Sequence, residues 1–182
     1  MGQTVRTFIS VKIPITDKIN AVSEIINRTG NVKSVPSGQI HVTLCFLGDV
    51  DESKIPKLCS SLETAFSDAE SFDASVRGMG AFPDAKHARV IWLGIDDNNK
   101  LSEYAERTVK AVKKAGLRCD EKKFVPHVTL ARSRDGSDVR ELISEYKDEE
   151  FCSFHCSSVN VMKSELTPKG ARHTVIRSIS LE

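Results

Sequence analysis

The sequence predicts an α+β fold of two related lobes, each with a mostly antiparallel sheet and helices on its outer side. Segments with strand character alternate with segments of helical periodicity. The tetrapeptide His-Val-Thr-Leu occurs twice, starting at His41 and at His127, an offset of 86 residues. The first strands of the two halves end at positions 13 and 95, an offset of 82, and Ser-Phe at 71–72 matches Ser-Phe at 153–154 at the same offset. Such repetition predicts two lobes about a pseudo-twofold axis, with repeats at approximately 5–80 and 88–180.

The first half has the order strand, helix, strand, helix, strand. β-branched residues favour strands, whereas apolar residues three and four positions apart favour helices. Polar residues and glycines between these segments mark their ends. The predicted elements are a strand at 7–13, a helix at 17–27 capped by Thr16 and closed by Gly30, a strand at 40–47 ended by Gly48 and Asp49, a helix from Asp51 or Ser53 to about Phe66, and a strand at 72–79.

The same order returns in the second half. Its predicted elements are a strand at 89–95, a helix at 101–115 ended by Gly116, a strand at 125–131, a helix at 138–146, a strand at 154–162, and a last strand at 173–179 after the turn at 167–170. Each motif therefore lies in the middle strand of its half. The connections are too short for independent domains, so residues 1–182 are predicted to form a single bilobal domain.

Composition excludes several classes of protein. Of the 182 residues, 40% are hydrophobic and 28% charged, which is typical of a globular protein. A net charge of +1 argues against a general polyanion binder, so an activity on nucleic acid should depend on a local feature such as an end. The five cysteines form no CxxC pair, which favours reduced thiols in a cytoplasmic protein. Lys12 and Pro14 interrupt the N-terminal apolar stretch, so neither a signal peptide nor membrane association is expected.

The repeated motif carries the candidate chemistry. Side chains alternate along a strand, so His41 shares a face with Thr43, and His127 shares a face with Thr129. The valine and leucine of each motif occupy the opposite, core-facing side. If the two polar faces meet across a cleft, one imidazole can accept a proton while the other donates one. Such a pair suits cleavage of a phosphodiester, whose charged oxygens the threonine hydroxyls can bind.

Other interpretations of the histidines are weaker. A single such histidine is usually structural, but packing does not explain a matched polar face in both halves. A zinc site lacks a third and a fourth ligand at suitable spacing, so no metal or other cofactor is expected. His87 and His155 have no motif around them. For His173, in the predicted last strand, a structural role is favoured over a contact with substrate.

Four blocks together resemble a known family across nearly the whole chain. They are Arg-Thr-Phe-Ile-Ser-Val at 6–11, Gln-Ile-His-Val-Thr-Leu-Cys-Phe-Leu-Gly-Asp at 39–49, Gly-Ala-Phe-Pro at 80–83 followed by Arg-Val-Ile-Trp-Leu-Gly at 89–94, and Phe-Val-Pro-His-Val-Thr-Leu-Ala-Arg at 124–132. The sequence resembles the 2H phosphoesterases, and within them the RNA 2′,3′-cyclic phosphodiesterases, also called 2′-5′ RNA ligase-like proteins.

The resemblance implies a specific site in the cleft between the lobes. It implies His41 and His127 as the acid–base pair, with Thr43, Thr129 and Arg132 as phosphate ligands. Strict alternation would place Arg132 on the face opposite to His127, so the strand must end or twist there. The implied aromatic of the first strand is Phe8, while His173 stands where the family has an aromatic residue near the last strand.

The resemblance also implies a reaction. The expected substrate is RNA with a 2′,3′-cyclic phosphate end, or a related cyclic nucleotide, which is hydrolysed to a 2′-phosphate. No cofactor is implied, and a monomer is expected. A 2′-5′ RNA ligase or 2′-5′ phosphodiesterase using the same residues is one alternative. An RNA-binding module without turnover is another, although binding alone needs no matched acid and base.

Overall fold

The nine strands within residues 2–182, the part of the chain that this computed structural model describes, join in one antiparallel sheet. Four α-helices accompany them, so the α+β prediction is confirmed. The elements in chain order are β1 Thr4–Lys12, α1 Asp17–Asn27, β2 Val32–Ser34, β3 His41–Asp51, α2 Ile55–Ala65, β4 Phe72–Phe82, β5 Ala88–Asp96, α3 Lys100–Lys114, β6 His127–Ser137, α4 Arg140–Tyr146, β7 Glu150–Cys156, β8 Ser158–Thr167 and β9 Gly170–Ser180.

The two motif strands lie at the centre of the sheet. The strand order is β7-β4-β5-β6-β3-β1-β8-β9, and the short β2 pairs with β6. β3 and β6 are joined only through the pair Val42 and Val128. On either side of this joint the order repeats: β1 and then β8 follow β3, while β5 and then β4 follow β6. The face that carries the histidines is therefore formed where two sets of strands meet.

The predicted correspondence of the outer strands was wrong. Positions 71–72 and 153–154 were matched at an offset of 82, but β4 pairs directly with β7, with Ala74 opposite Phe154. The strand in the position equivalent to β4 is β8, which starts 86 residues after it, at positions 158 and 72. The single strand predicted at 154–162 is therefore two strands, which separate at Ser157. No glycine or proline marks this turn, so the strand-like sequence pattern continues across it and predicts a single strand.

Helix α1 forms as the sequence predicts. Its N-cap, Thr16, accepts a hydrogen bond through Oγ1 from the backbone N–H of Ile19 at 3.3 Å, which satisfies a free amide of the first turn. Ile19, Val22 and Ile26 are buried, whereas Ile25 at the edge of the stripe stays 40% exposed. Within residues 2–182, none of the helices has the length and apolar character needed to cross a bilayer.

Gly48 bends β3 without ending it, so the predicted strand end was wrong. Gly48 has a φ of +71°, and the register with β1 shifts between Thr7 and Phe8 at this point. The strand continues to Asp51, whose carboxylate accepts a hydrogen bond from the backbone N–H of Ser53 at 2.9 Å and begins the turn into α2. A glycine with positive φ at a bulge bends a strand and leaves the pairing intact on either side.

Candidate active site

The sheet carries a cavity of about 430 Å³ on the face where the two motif strands meet. All five residues that the sequence predicted for the site line this cavity: His41, Thr43, His127, Thr129 and Arg132. The other lining residues are Arg6, Phe8, Val35, Gln39, Phe46, Ser164, Leu166, Ala171 and His173. The two motifs, which are 86 residues apart in the chain, are therefore brought together in one cleft.

Burial of the apolar side of each motif fixes which side chains face the cleft. Val42 and Val128 pair with each other and are both completely buried. A slip of one residue in either strand would send the valines outward and the histidines into the core, at a large cost in free energy. The alternation predicted from the sequence is therefore also what holds the imidazoles in the cleft.

A bulge in each motif strand changes the alternation after the threonine. Along β5 and β6 the register steps from Trp92 opposite Thr129 to Ile91 opposite Ala131, which leaves Leu130 without a partner residue. The carbonyl of Leu130 instead accepts a hydrogen bond from the backbone N–H of Val35 at 2.7 Å. Because the bulge inserts one residue, the next outward side chain, Arg132, lies on the cleft side. The requirement that the strand end or twist is thus met by a bulge.

The first motif has the same irregularity. Along β1 and β3 the register steps from Ser10 opposite Thr43 to Ile9 opposite Cys45, which leaves Leu44 unopposed. In the first motif Phe46 takes the place that Arg132 has in the second motif, and its side chain reaches the cleft. The two halves therefore share a backbone geometry but present an aromatic ring in one half and a guanidinium in the other.

Hydrogen bonds to the backbone fix the same tautomer in both histidines. Nδ1 of His41 lies 2.7 Å from the carbonyl of Gln39, and Nδ1 of His127 lies 2.6 Å from the carbonyl of Val125. A carbonyl only accepts, so each Nδ1 carries the proton. This leaves Nε2 of each neutral ring as the basic nitrogen. In His41 that nitrogen lies 2.9 Å from Oγ1 of Thr43, which can donate to it.

The environment of His41 favours its neutral form. Burial lowers the pKa of His41 to about 4, because the charged ring would lose hydration. The carbonyl of Gln39 opposes this shift, while nearby His173 and His127 add to it. His41 is therefore neutral at pH 7 and can accept a proton. Burial also lowers the pKa of His173.

Aromatic rings hold the two imidazoles from the sides. Phe8 stacks on His41 at 4.9 Å between centroids with an interplanar angle of 27°. His173 contacts both rings edge-on, at 4.9 Å from Phe8 and 5.3 Å from His41. On the other side Phe82 lies edge-on to His127 at 5.3 Å. Each imidazole thus has an aromatic neighbour that restricts its rotation.

His173 lies in the cavity wall. Its Nδ1 is buried and has no hydrogen-bond partner within residues 2–182. The other histidines outside the motifs lie elsewhere: His155 is bonded to Asp73 at 2.8 Å, and His87 lies 3.5 Å from Asp84. The expectation that these two have no place in the site agrees with their positions, whereas His173 is part of the cleft.

In the part of the chain that the structure describes, the acidic or basic side chains that line the cleft are all basic. Its lining there includes Arg6 and Arg132 and no aspartate or glutamate. Among the described residues, 2–182, no group of three or more His, Cys, Asp or Glu side chains could hold a metal ion. Arg6 was not recognised as a site residue from the sequence. The available signal was its spacing, since it lies two positions before Phe8 in the same strand and so shares its face.

Two imidazoles, two hydroxyls and two guanidiniums around one cleft are groups that suit a phosphate ester. The paired His-x-Thr strands on this antiparallel sheet define the class of the 2H phosphoesterases. The chain belongs to the 2′-5′ RNA ligase superfamily, whose family model matches residues 16–168.

Similar proteins cover the chain almost completely. An RNA 2′,3′-cyclic phosphodiesterase of Methanothermobacter thermautotrophicus is 32% identical over 176 residues, which is 93% of this chain and 95% of the relative. One from Archaeoglobus fulgidus is 31% identical over 176 residues, or 94% and 98%. Among solved structures, TT0787 of Thermus thermophilus superposes with a TM-score of 0.80 at 25% identity, covering 97% of each chain. LigT of E. coli, solved with 3′-AMP, has the same fold, with a TM-score of 0.77 at 20% identity over 98% of this chain and 99% of that one.

Proposed function

We propose that this protein hydrolyses the 2′,3′-cyclic phosphate end of RNA to a 2′-phosphomonoester, with His41 and His127 as the acid–base pair. One observation carries the proposal: the two imidazoles, each with Nδ1 bonded to a backbone carbonyl, line one cleft whose described lining contains no acidic residue. The names of the relatives and the family to which the chain belongs support the choice of substrate.

The reaction consumes one water molecule. The base removes a proton from water as its oxygen attacks phosphorus, the bond between phosphorus and the 3′ oxygen breaks, and the acid gives a proton to that oxygen. The low pKa of His41 favours it as the base in this direction, which leaves His127 as the acid. Thr43, Thr129 and Arg132 stabilise the charge on the non-bridging oxygens.

Two other functions would use the same cleft. A 2′-5′ ligase opens the same cyclic phosphate with a ribose 5′-hydroxyl of RNA in place of water, and the two histidines keep their roles. Cleavage of a 2′-5′ phosphodiester back to the cyclic phosphate reverses that step and exchanges the roles of the two histidines. A binding module would hold the RNA end without turnover. Hydrolysis is favoured over both, because water is abundant and a module that only binds has no use for two oriented imidazoles.

Product analysis tests the proposal directly. A short RNA with a 2′,3′-cyclic phosphate end is incubated with the protein, and its product is examined by phosphorus NMR and by an enzyme specific for 3′-phosphates. We expect a 2′-phosphate that resists that enzyme. A 3′-phosphate would mean that the substrate lies in the opposite sense, and bound but unchanged RNA would favour the binding module.

The proposed chemistry needs no metal ion. Two imidazoles supply both proton transfers, so turnover is expected to survive EDTA without loss. The measurement is the initial rate with and without the chelator, at the same ionic strength. Loss of activity that added Mg²⁺ or Zn²⁺ restores would instead indicate metal-assisted hydrolysis.

The threonine hydroxyls are expected to contribute to the rate. Thr43→Val or Thr129→Val removes a donor to the phosphate while keeping a β-branched side chain in the strand. We expect kcat/KM to fall by an amount equivalent to roughly 1–3 kcal/mol for each variant. Thr4→Val, an exposed threonine of β1 outside the cavity, is the matched control. Unchanged kinetics in both site variants would make these threonines purely structural.

We also propose that residues 1–182 act as a single bilobal unit, with repeats at approximately 5–80 and 88–180 and the cleft between them. The single residue pair that joins β3 to β6 supports two lobes, between which the repeats exchange one strand: β4 lies on the side of β6, and β8 lies on the side of β3. We further propose that the protein is a monomer and that it lies in the cytoplasm, a reducing compartment that suits five cysteines that are all free thiols. Light scattering of the purified protein measures the mass, and a dimer would contradict the monomer.

A further inference from the structure

Arg6 lies at the far side of the cleft from Arg132, in a position that the hydrolysis of a cyclic phosphate does not require. β1, β8 and β9 carry one cross-strand row of Arg6, Ser164 and His173, and all three side chains line the cavity. Arg132 is on β6, on the other side of the joint between the motif strands. The two guanidiniums therefore lie on opposite sides of the histidine pair.

The Arg6 side chain is held in place without a carboxylate. Its guanidinium carbon lies 4.9 Å from the centre of the Phe46 ring, a cation–π contact. Arg107, Arg140 and Arg177 all form ion pairs with acidic side chains. Among the described residues 2–182, Arg6 forms no such ion pair, although Asp49 lies opposite it on the neighbouring strand β3. An exposed guanidinium that rests on an aromatic ring in a basic cleft is free to bind an anion.

Arg6 is well separated along β1 from the place where the reacting phosphate would bind. Thr43 lies opposite Ser10, which is four residues from Arg6 along β1, or roughly 13 Å at 3.3 Å per residue. A cyclic phosphate held between the two His-x-Thr pairs occupies the Thr43 end of that span. The next anionic group in an RNA chain is the 5′-phosphate of the terminal nucleotide, about one nucleotide away. The nucleotide covers part of the span between Ser10 and Arg6, and the long side chain of Arg6 can cover the rest.

We infer that Arg6, supported on Phe46, binds the phosphate on the 5′ side of the terminal nucleotide, so that the preferred substrate is an RNA chain rather than a free nucleoside 2′,3′-cyclic phosphate. The inference rests on the proposed function and adds a specificity-determining residue to it. It also fits a net charge of +1, because an end with two bound phosphates needs only local positive charge.

Three substrates test the inference. They are adenosine 2′,3′-cyclic phosphate, the same molecule with a 5′-phosphate, and the dinucleotide ApA with a 2′,3′-cyclic end. We expect wild-type kcat/KM to be about tenfold higher for the second and third, as one charge-assisted hydrogen bond predicts. Arg6→Gln should bring this ratio close to one. Arg132→Gln should lower kcat/KM on all three and keep the ratio, because the reacting phosphate is common to them.

The controls separate this inference from a general charge effect and from the proposed function. Arg77→Gln removes the same charge from β4, outside the cavity, and should keep the wild-type ratio. Circular dichroism and thermal unfolding check that each variant is folded. A wild-type ratio near one, or a ratio that persists in folded Arg6→Gln, overturns the inference. If the wild type turns over none of the substrates, the proposed function fails. Calorimetry with adenosine 5′-phosphate against adenosine then still measures whether Arg6 binds the 5′-phosphate.

Discussion

Alanine in place of His41 or His127 is expected to lower kcat/KM on an RNA 2′,3′-cyclic end by about 10²–10⁴-fold, the usual contribution of one general acid or base. Each ring is held by a backbone carbonyl through Nδ1, so Nε2 is the only nitrogen of the ring available for proton transfer. Neither β3 nor β6 offers another imidazole that could replace it. The measurement is steady-state turnover of the cyclic substrate by each folded variant.

Two controls make this result specific. His155→Ala removes an exposed histidine whose partner is Asp73, and it should leave turnover unchanged. The double variant of His41 and His127 should lose little more than the worse single variant, because residues that act as a unit are not additive. A folded single variant with near-wild-type turnover would remove that histidine from the mechanism.

The sequence predicted those features of the site that depend on local periodicity. Alternation along each motif strand placed His41 with Thr43 and His127 with Thr129 on one polar face, and the cleft contains all four. The cap and buried stripe of α1 followed from similar local rules. Local rules succeed here because the buried valines leave each strand only one register.

Features that depend on pairing between distant segments were not predicted. The bulges at Leu44 and Leu130 arise from the register with β1 and β5, so nothing within the motif indicates them. They decide that Phe46 and Arg132 face the cleft. The pairing of β4 with β7 likewise joins the two halves of the chain across the predicted repeat boundary. A repeat at a fixed offset indicates related units, but it does not tell which strands exchange between them.

The position of His173 shows the same limit. From the sequence it is one histidine in a terminal strand, for which a structural role is the common explanation. In the sheet β9 pairs with β8, and β8 pairs with β1, which brings His173 against Phe8 and His41. Its place in the cleft follows from two successive strand pairings, and neither is visible in the local sequence.

The folded protein is expected to lose about 3 kcal/mol of stability to His41 alone as the pH falls from 6.5 to 4. The pKa of His41 is lowered from 6.5 to about 4 by burial, so the unfolded chain takes up this proton before the folded protein does. Stability from this group is therefore complete above pH 6.5 and is lost as the pH falls toward the folded pKa. The lowered pKa of His173 acts in the same direction.

Denaturant unfolding of the wild type and of His41→Gln across this range measures the effect. The variant has no titrating ring at this position. Between pH 6.5 and 4 its free energy of unfolding should therefore fall by about 3 kcal/mol less than that of the wild type. His155→Gln, which removes an exposed histidine, should keep the wild-type dependence. Parallel curves for the wild type and His41→Gln would show that His41 titrates normally in the folded protein. The reason for assigning His41 as the base would then be lost. A curve for His41→Gln that is flatter than that of the wild type instead supports a ring that stays neutral, and able to accept a proton, down to well below pH 6.5.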